Sequence, residues 1–287
     1  MPYLPVFILP VIKSIQASQD IYPDSTDNRV MKTLAKLLQL LPVNLATMQR
    51  QENTRLKAAS QEGLDFLKVF ADNKIVHEYD LKIKIKAKLR DYQLEGINWM
   101  ARLGQYNLNC ALCDDMGLGK TLQSLAVVFN ESIQQEGHVC SLIVCPTSLT
   151  YNWLAEVNKF FDNEQFTAVV VEGTTAQRQA IIRDRKADLL IMNYEKVNGV
   201  FDTLKEQKFF YLVLDEAHKI KNSKSKLTQN IKGLQAERKL VLTGTPLQNK
   251  VSELWSLFDF LMPDFLEEET TFNKTYNKYL TANIKKM

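Results

Sequence analysis

Six short apolar runs recur between residues 110 and 242, separated by stretches with the composition of helices and loops. They are Cys110–Cys113, Ser141–Cys145, Ala168–Val171, Leu189–Met192, Tyr211–Leu214 and Leu240–Leu242. Strands that alternate with helices form a largely parallel sheet covered on both faces. We therefore predict an α/β fold from about residue 89 onward. Ligands of such sheets bind outside the carboxyl ends of the strands, where functional loops are expected.

A glycine-rich loop follows the first apolar run and reads Asp114-Asp115-Met116-Gly117-Leu118-Gly119-Lys120-Thr121. A loop of this kind between a strand and a helix surrounds phosphate oxygens with backbone N–H groups, and the helix N-terminus adds a positive dipole. Lys120 is expected to reach the β- and γ-phosphates of a nucleoside triphosphate, and the Thr121 hydroxyl to bind Mg²⁺. Because the general pattern has Gly where this chain has Asp114, the pattern alone does not match.

An acidic pair, Asp215-Glu216, follows the apolar strand that ends at Leu214. A carboxylate at this position holds Mg²⁺ in P-loop enzymes, which predicts that role for Asp215. Glu216 is then placed to orient and polarise the attacking water. The alternative is an acidic pair that merely ends a strand at the surface, and the phosphate loop upstream favours the metal site.

Two further segments are candidates for the same site. Thr243-Gly244-Thr245-Pro246 follows the last apolar run, and its hydroxyls can bond the acidic pair or the γ-phosphate, although by itself the segment indicates only a turn. Gln93 can present a donor and an acceptor to an adenine edge, although by its chemistry alone a surface glutamine is more often idle.

Together these segments resemble the first RecA-like lobe of the Snf-type (chromatin-remodelling) ATPases of helicase superfamily 2. The resemblance covers residues 81–280, with the motifs in matching order and spacing, and that family carries Asp at the position of Asp114. It implies ATP as ligand and Mg²⁺ as cofactor, with Lys120, Asp215 and Glu216 catalytic and Thr121 and Asp215 on the metal. The nucleotide-binding residues would be Gln93, Asp114, Met116, Gly117, Leu118, Gly119, Lys120, Thr121 and Leu122.

The same resemblance implies double-stranded DNA as a partner and the nucleus as the location. Residues that couple the nucleotide to motion would be His218, Thr243, Gly244 and Thr245. Residues on the DNA side would be Pro146, Thr147, Asn152 and Trp153 from one motif, and Asn193 and Tyr194 from another.

Within the family, the chain resembles the ATPases that strip TATA-binding protein from DNA. The Asp114-Asp115 pair, where most relatives have Asp-Glu, and the segment 257–266 carry this resemblance. Ala217 is instead the general Snf-type residue, where that subfamily often has Gly. Two alternatives therefore stay open: a general chromatin-remodelling lobe, and a nucleotide- or DNA-binding module with negligible turnover.

The predicted domains are a HEAT-like helix pair over 1–45, a helical linker over 46–80, and the first RecA-like lobe over 81–287. The resemblance places the arginines that stabilise the transition state on a second lobe, for which this chain has no room. We therefore expect the active site to be incomplete, and hydrolysis by this chain alone to be close to zero.

The chain carries a net charge of +3 and 45% hydrophobic residues, so a nucleic-acid surface would have to be a local patch. The strict alternation from Leu81 to Leu89 favours an edge strand with lysines on its solvent face over a strip that tracks phosphates. The apolar segment 4–15 is too short to span a membrane, and no membrane partner is expected.

Four cysteines, Cys110, Cys113, Cys140 and Cys145, have a spacing that suggests zinc. Positions three apart on a strand face opposite ways, so Cys110 and Cys113 are not expected to share a metal. Because all four lie in apolar runs, we predict reduced, buried thiols, which suit the cytosol or nucleus.

Overall fold

A computed structural model describes residues 79–105, 108–162, 165–244, 251–263, 266 and 268–274. The chain divides into two compact units. One contains residues 1–79 and 102–108, and the predicted helix pair and nearly all of the helical linker lie outside its described residues. The other contains residues 80–101 and 109–287 and carries the sheet. The predicted domain bounds stay a prediction.

The core of the second unit is a six-stranded parallel sheet with strand order β1-β6-β5-β2-β4-β3. The strands are β1 Cys110–Leu112, β2 Ser141–Cys145, β3 Ala168–Val170, β4 Leu189–Asn193, β5 Lys208–Asp215 and β6 Gln235–Leu242. All six predicted strands and the α/β class are confirmed. Strands β5 and β6 begin earlier than predicted, at Lys208 and Gln235, and in β6 the charged residues Glu237, Arg238 and Lys239 hid the apolar pattern.

Helices occupy the connections between the strands, and in the described ranges one further helix precedes β1 and another follows β6. They are α1 Asp91–Gln105, α2 Lys120–Ser132, α3 Thr150–Phe160, α4 Thr175–Asp184, α5 Tyr194–Val197, α6 Phe201–Lys205, α7 Lys226–Lys232 and α8 Val251–Leu261, with 3-10 turns at Thr147–Leu149, Asn198–Val200 and Ala217–Ile220. Strands β2 and β4 are buried at every residue, as expected for a parallel sheet covered on both faces. Their burial makes the centre of the sheet a rigid support for the loops at its carboxyl edge.

The predicted edge strand over Leu81–Leu89 is wrong, because this segment pairs with no strand of the described sheet. Its lysines are exposed at alternate positions and Ile83 is buried, so the alternation of burial is as expected. The segment packs against helices: the Lys82 and Ile83 N–H groups donate to Asn130 Oδ1, and Lys86 N–H donates to Phe160 O. An alternation of apolar and charged residues indicates only that one face of an extended chain is buried. Here the Asn130 side-chain amide accepts the backbone hydrogen bonds that a neighbouring strand would otherwise accept.

Among the residues described, no helix is both long and apolar enough to cross a membrane.

Candidate active site

Three of the predicted loops leave neighbouring strands at the same level of the sheet. Leu242, the last residue of β6, pairs with Leu112 of β1 on one side and with Asp215 of β5 on the other. Neighbouring strands lie about 4.8 Å apart, so the start of the phosphate loop and the Asp215 backbone are separated by about 10 Å. The sheet therefore brings together the loops that the sequence assigned to one site.

Two glycines shape the phosphate loop. Gly117 and Gly119 have φ values of 84° and 80°, a left-handed region that favours glycine. Gly119 is also the N-cap residue of α2, and a Cβ atom there would lie 2.4 Å from Gln93 Nε2. The loop thus needs glycine at residue 119 for its backbone angle, and a side chain there would also displace the end of Gln93.

Lys120 closes the loop from inside. Its Nζ donates to the carbonyl oxygens of Asp114, at 2.7 Å, and Asp115, at 3.0 Å. An ammonium group has three donors, so one remains for an anion in front of the loop. The lysine therefore lies where its charge can act on a phosphate.

The other predicted loop residues differ in what their side chains can reach. Met116 is 82% exposed, Leu118 and Thr121 are half-buried, and Leu122 is buried. Leu122 can therefore contact a phosphate only through its backbone N–H group. Thr121 lies in the first turn of α2, directly after Lys120, as the metal assignment requires.

Gln93 contacts the loop. Its Nε2 donates to Leu118 O at 3.3 Å, while its Oε1 accepts from Arg90 N–H at 3.0 Å. A primary amide retains a second donor and a second acceptor site, so the adenine role stays possible in hydrogen-bonding terms and stays a prediction.

Gln123 was missed by the sequence reasoning. It is fully buried, and its Nε2 donates to the same Leu118 carbonyl at 3.2 Å. The available signal was its position in the first turn of α2, because helical side chains tilt toward the N-terminus and so toward the loop. Gln123 and Gln93 together hold the loop from behind.

Asp114, the residue that departs from the general pattern, is buried. Burial raises the pKa of its carboxyl, while the Gln123 amide and Lys120 lower it. No hydrogen-bond partner of its Oδ2 is found within the described part of the chain. Its main-chain oxygen, which accepts from Lys120, is its clearest contribution to the loop.

Asp215 carries a buried carboxylate at the carboxyl end of β5. Its Oδ1 accepts from Glu216 N–H at 2.9 Å, and its Oδ2 accepts from Trp153 Nε1–H at 2.9 Å. Burial raises the pKa of this carboxyl, and the Trp153 bond lowers it. Since an anionic carboxylate is costly in this environment, a nearby cation would stabilise it.

Glu216 and His218 lie in the turn after Asp215. Glu216 is one of only two non-glycine residues of positive φ among those described, at 50°, and such backbone conformations concentrate at functional sites. Its Oε2 lies 3.2 Å from His218 Nδ1. Both side chains are half-buried, so the predicted catalytic and coupling residues remain partly accessible.

The predicted DNA-side residues fall into two groups. Thr147 and Asn152 are exposed, and Pro146 is half-buried. Thr147 Oγ1 donates to Glu195 Oε2 at 2.9 Å, which ties the two DNA-side motifs to each other. Asn193 is buried, and its side chain caps α5 by accepting from Lys196 N–H.

Trp153 and Tyr194 need correction as residues that touch DNA directly. They are 2% and 1% exposed, so their side chains do not reach a ligand on the surface. Both point toward the acidic pair instead, and the Tyr194 hydroxyl donates to the main-chain oxygen of Asp215 at 2.8 Å. Their assignment to the two DNA-side motifs stays a prediction, but direct contact of these two side chains with DNA is wrong.

The third loop meets the first. Thr243 N–H donates to Leu112 O at 3.2 Å, and a Cβ atom at Gly244 would lie 3.3 Å from Met116 Cγ. Thr243 is buried beside the phosphate loop, whereas Thr245 lies outside the described residues. Two of the three coupling residues predicted in this segment are thus placed against the nucleotide loop.

The residues present fit a nucleoside triphosphate with Mg²⁺. Left-handed glycines shape the loop, a lysine ammonium closes it, and a buried carboxylate faces it across β6. Oxygen ligands from Asp215 and Thr121 are the type that Mg²⁺ prefers, and Mg²⁺ sites keep only one or two protein ligands.

Comparison with known proteins gives one consistent assignment. The SNF2-related domain family matches residues 92–287. The chain is 36% identical over 290 residues to TATA-binding protein-associated factor BTAF1 of Arabidopsis thaliana. This alignment covers 98% of this chain and 14% of that protein. It is 36% identical over 302 residues to TATA-binding protein-associated factor 172 of Homo sapiens, with 99% and 16% coverage.

A solved structure supports the fold. The Sulfolobus solfataricus SWI2/SNF2 ATPase core in complex with dsDNA aligns with a TM-score of 0.61 and 35% identity, over 69% of this chain and 41% of that one. The chain spans less than a fifth of the length of the two TATA-binding protein-associated factors.

Proposed function

The chain belongs to the SNF2-related family, and from that premise we propose that it is the ATP-binding first lobe of a double-stranded-DNA translocase that removes TATA-binding protein from promoter DNA. The main support for ATP binding is the register of the sheet. Leu242 of β6 pairs with Leu112, at the end of β1, and with Asp215 of β5. This alignment places a buried carboxylate opposite the Lys120 loop. The similarity to TATA-binding protein-associated factors over nearly the whole chain supports the protein substrate.

In the proposed mechanism, backbone N–H groups of the phosphate loop and the N-terminus of α2 bind the phosphates. Lys120 neutralises charge on the β- and γ-phosphates with its remaining N–H donor. Thr121 and Asp215 would hold Mg²⁺, which when bound offsets negative charge on the phosphate oxygens. Glu216 accepts a proton from, or orients, the attacking water.

Complete turnover is proposed to need a second lobe. Phosphoryl transfer gains about 10³- to 10⁵-fold from an arginine that reaches the transferred group. The resemblance to Snf-type ATPases places such arginines on that lobe, so the first lobe by itself would bind ATP and hydrolyse it slowly. Motion of the lobes would then drive the complete protein along the duplex, in the nucleus.

Exposed Thr147 and Asn152 support the DNA assignment, because hydroxyl and amide groups bond phosphate oxygens without sequence preference. The sequence-predicted HEAT-like segment is proposed to belong to the part that grips TATA-binding protein.

The experiment uses the complete protein that carries this chain, with labelled TATA-binding protein bound to promoter DNA. We expect ATP addition to release the label, and Lys120→Ala to abolish release while leaving the unfolding temperature unchanged. Retention of the label together with ATP-dependent nucleosome sliding would support the general remodelling alternative, which Ala217 favours. ATP binding without release, sliding or hydrolysis would support a binding module.

A further inference from the structure

Two buried side chains reach Asp215 from two different elements. Trp153 belongs to α3 and donates its Nε1–H to Asp215 Oδ2 at 2.9 Å. Tyr194 begins α5 and donates its hydroxyl to the Asp215 main-chain oxygen at 2.8 Å. Since neither side chain is more than 2% exposed, water cannot readily replace either bond.

These bonds, with the Glu216 N–H, account for the orientation of the carboxylate. Trp153 occupies one lone pair of Oδ2, and Glu216 N–H occupies one of Oδ1. A carboxylate has about four acceptor positions, so the positions left for a metal ion are those that the two donors do not use. Tyr194 does not contact the carboxylate. It fixes the peptide group between Asp215 and Glu216, the residue with a left-handed backbone.

The same two elements carry exposed groups on their outer side. Thr147, in the turn before α3, donates to Glu195 of α5, and both residues are exposed. The turn before α3 and helix α5 are thus joined at the surface by one hydrogen bond. On the inner side, Trp153 of α3 bonds the Asp215 carboxylate and Tyr194 of α5 bonds the Asp215 main-chain oxygen.

We propose that Trp153 and Tyr194 are positioning residues that set the geometry of the Asp215 carboxylate toward Mg²⁺ and that connect it to the exposed face of α3 and α5. The proposal rests on the proposed ATP and Mg²⁺ site. Partners of a metal-binding carboxylate fix its orientation, and their loss typically weakens metal binding about 10- to 100-fold. A ligand that shifts the exposed face, such as the DNA phosphates, would alter Mg²⁺ affinity through these two bonds.

The test is the gain in ATP affinity that Mg²⁺ produces, measured by calorimetry on this chain with Mg²⁺ and with a chelator. Trp153→Phe keeps an aromatic ring and removes the N–H donor. We expect it to reduce the Mg²⁺-dependent gain about tenfold and to leave metal-free ATP affinity unchanged. Tyr194→Phe is expected to have a smaller effect in the same direction.

The matched control is Tyr211→Phe, which removes another buried tyrosine hydroxyl, the one that donates to Glu131 Oε2 at 2.6 Å. It should leave the Mg²⁺-dependent gain at the wild-type value. A normal gain in Trp153→Phe, or an equal loss in Tyr211→Phe, would overturn the proposal. Absence of ATP binding by the wild-type chain would instead overturn the proposed function.

A second measurement covers the case in which Trp153→Phe does not fold. Replacing Trp99 and Trp255 by Phe leaves Trp153 as the single tryptophan of the chain, which has 3. Mg²⁺ added to the ATP-bound protein should then shift the tryptophan emission, and Asp215→Asn should remove that shift. No shift with intact Asp215, while Mg²⁺ still strengthens ATP binding, would contradict the positioning role.

Discussion

Two carboxylates lie beside strand β5, the half-buried Glu131 near its middle and the buried Asp215 at its carboxyl end, and their partners differ. At Tyr211, Glu131 of α2 accepts a hydrogen bond of 2.6 Å from the tyrosine and lies 3.9 Å from Arg238 Nε. Four residues and about 13 Å further along the strand, Asp215 is held by the neutral donors Trp153 and Glu216 N–H. Burial raises the pKa of both carboxyls, so neither environment is favourable to charge by itself.

The difference separates a carboxylate whose charge is offset within the fold from one that is proposed to bind Mg²⁺. Glu131 has a cation and a phenol beside it, which offset its charge within the fold. The hydrogen bonds to the Asp215 carboxylate come from neutral groups, and Lys120 lowers its pKa only as the last of several causes. A buried anion of this kind at the carboxyl edge of a parallel sheet is suited to an external cation.

The largest expected effect is the loss of ATP affinity on replacing Lys120. Lys239, whose ammonium group bonds a main-chain oxygen within the fold, provides the comparison. Lys239 Nζ donates to Phe260 O at 3.0 Å, and burial lowers its pKa. Lys120→Ala should weaken ATP binding about 100-fold, because charge-assisted bonds to phosphate contribute about 3 kcal/mol. Lys239→Met should leave ATP affinity unchanged. Calorimetric titration of both variants makes the comparison, and equal losses would contradict it.

Gly119 gives the next largest effect. Gly119→Ala should weaken ATP binding about tenfold, since left-handed backbone costs a Cβ residue about 1–2 kcal/mol and the new atom meets Gln93. Gly137 has a φ of 94°, and a Cβ atom there would meet nothing within 4 Å, so Gly137→Ala carries the backbone strain alone. Its ATP affinity should equal that of the wild type, and binding assays on the pair decide the point.

Tyr211→Phe tests the carboxylate near the middle of β5. Loss of the hydroxyl removes a donor from the half-buried Glu131, which should lower the free energy of unfolding by about 1–2 kcal/mol. Urea unfolding monitored by circular dichroism measures the change. An unchanged midpoint would show that the bond to Glu131 does not stabilise the fold.

The smallest effect concerns the thiols. Burial raises the pKa of Cys140 to about 11 and that of Cys145 to about 12. At pH 8 about a thousandth of Cys140 is thiolate, so both residues should resist iodoacetamide while the protein is folded. Mass spectrometry before and after denaturation checks this, and rapid labelling of the native protein would contradict it.

The sequence predicted the strands and the three loops because each depends on local pattern: apolar runs of strand length, glycines at fixed spacing, and acidic residues at a strand end. It could not predict that Trp153 and Tyr194 turn inward, since their direction depends on how α3 and α5 pack at the end of β5. Leu81–Leu89 failed for a related reason. Its pattern specified one buried face but not what the backbone N–H groups would bond. Their acceptor is the Asn130 side-chain amide, which lies 47 residues beyond Ile83.

We propose that the Asp215 carboxylate binds Mg²⁺ and that the Glu131 carboxylate stabilises the fold. The most direct measurement is a Mg²⁺ titration of the ATP-bound chain, comparing Asp215→Asn with Glu131→Gln. We predict that Asp215→Asn loses the Mg²⁺-dependent gain in ATP affinity. The new amide has a single acceptor oxygen, whereas the Asp215 carboxylate accepts from both Glu216 N–H and Trp153 Nε1–H. Its NH2 would therefore face a buried N–H donor, and the unfolding temperature should fall below the wild-type value. Glu131→Gln should keep the full Mg²⁺-dependent gain, and an equal loss in both variants, or in neither, would contradict the account.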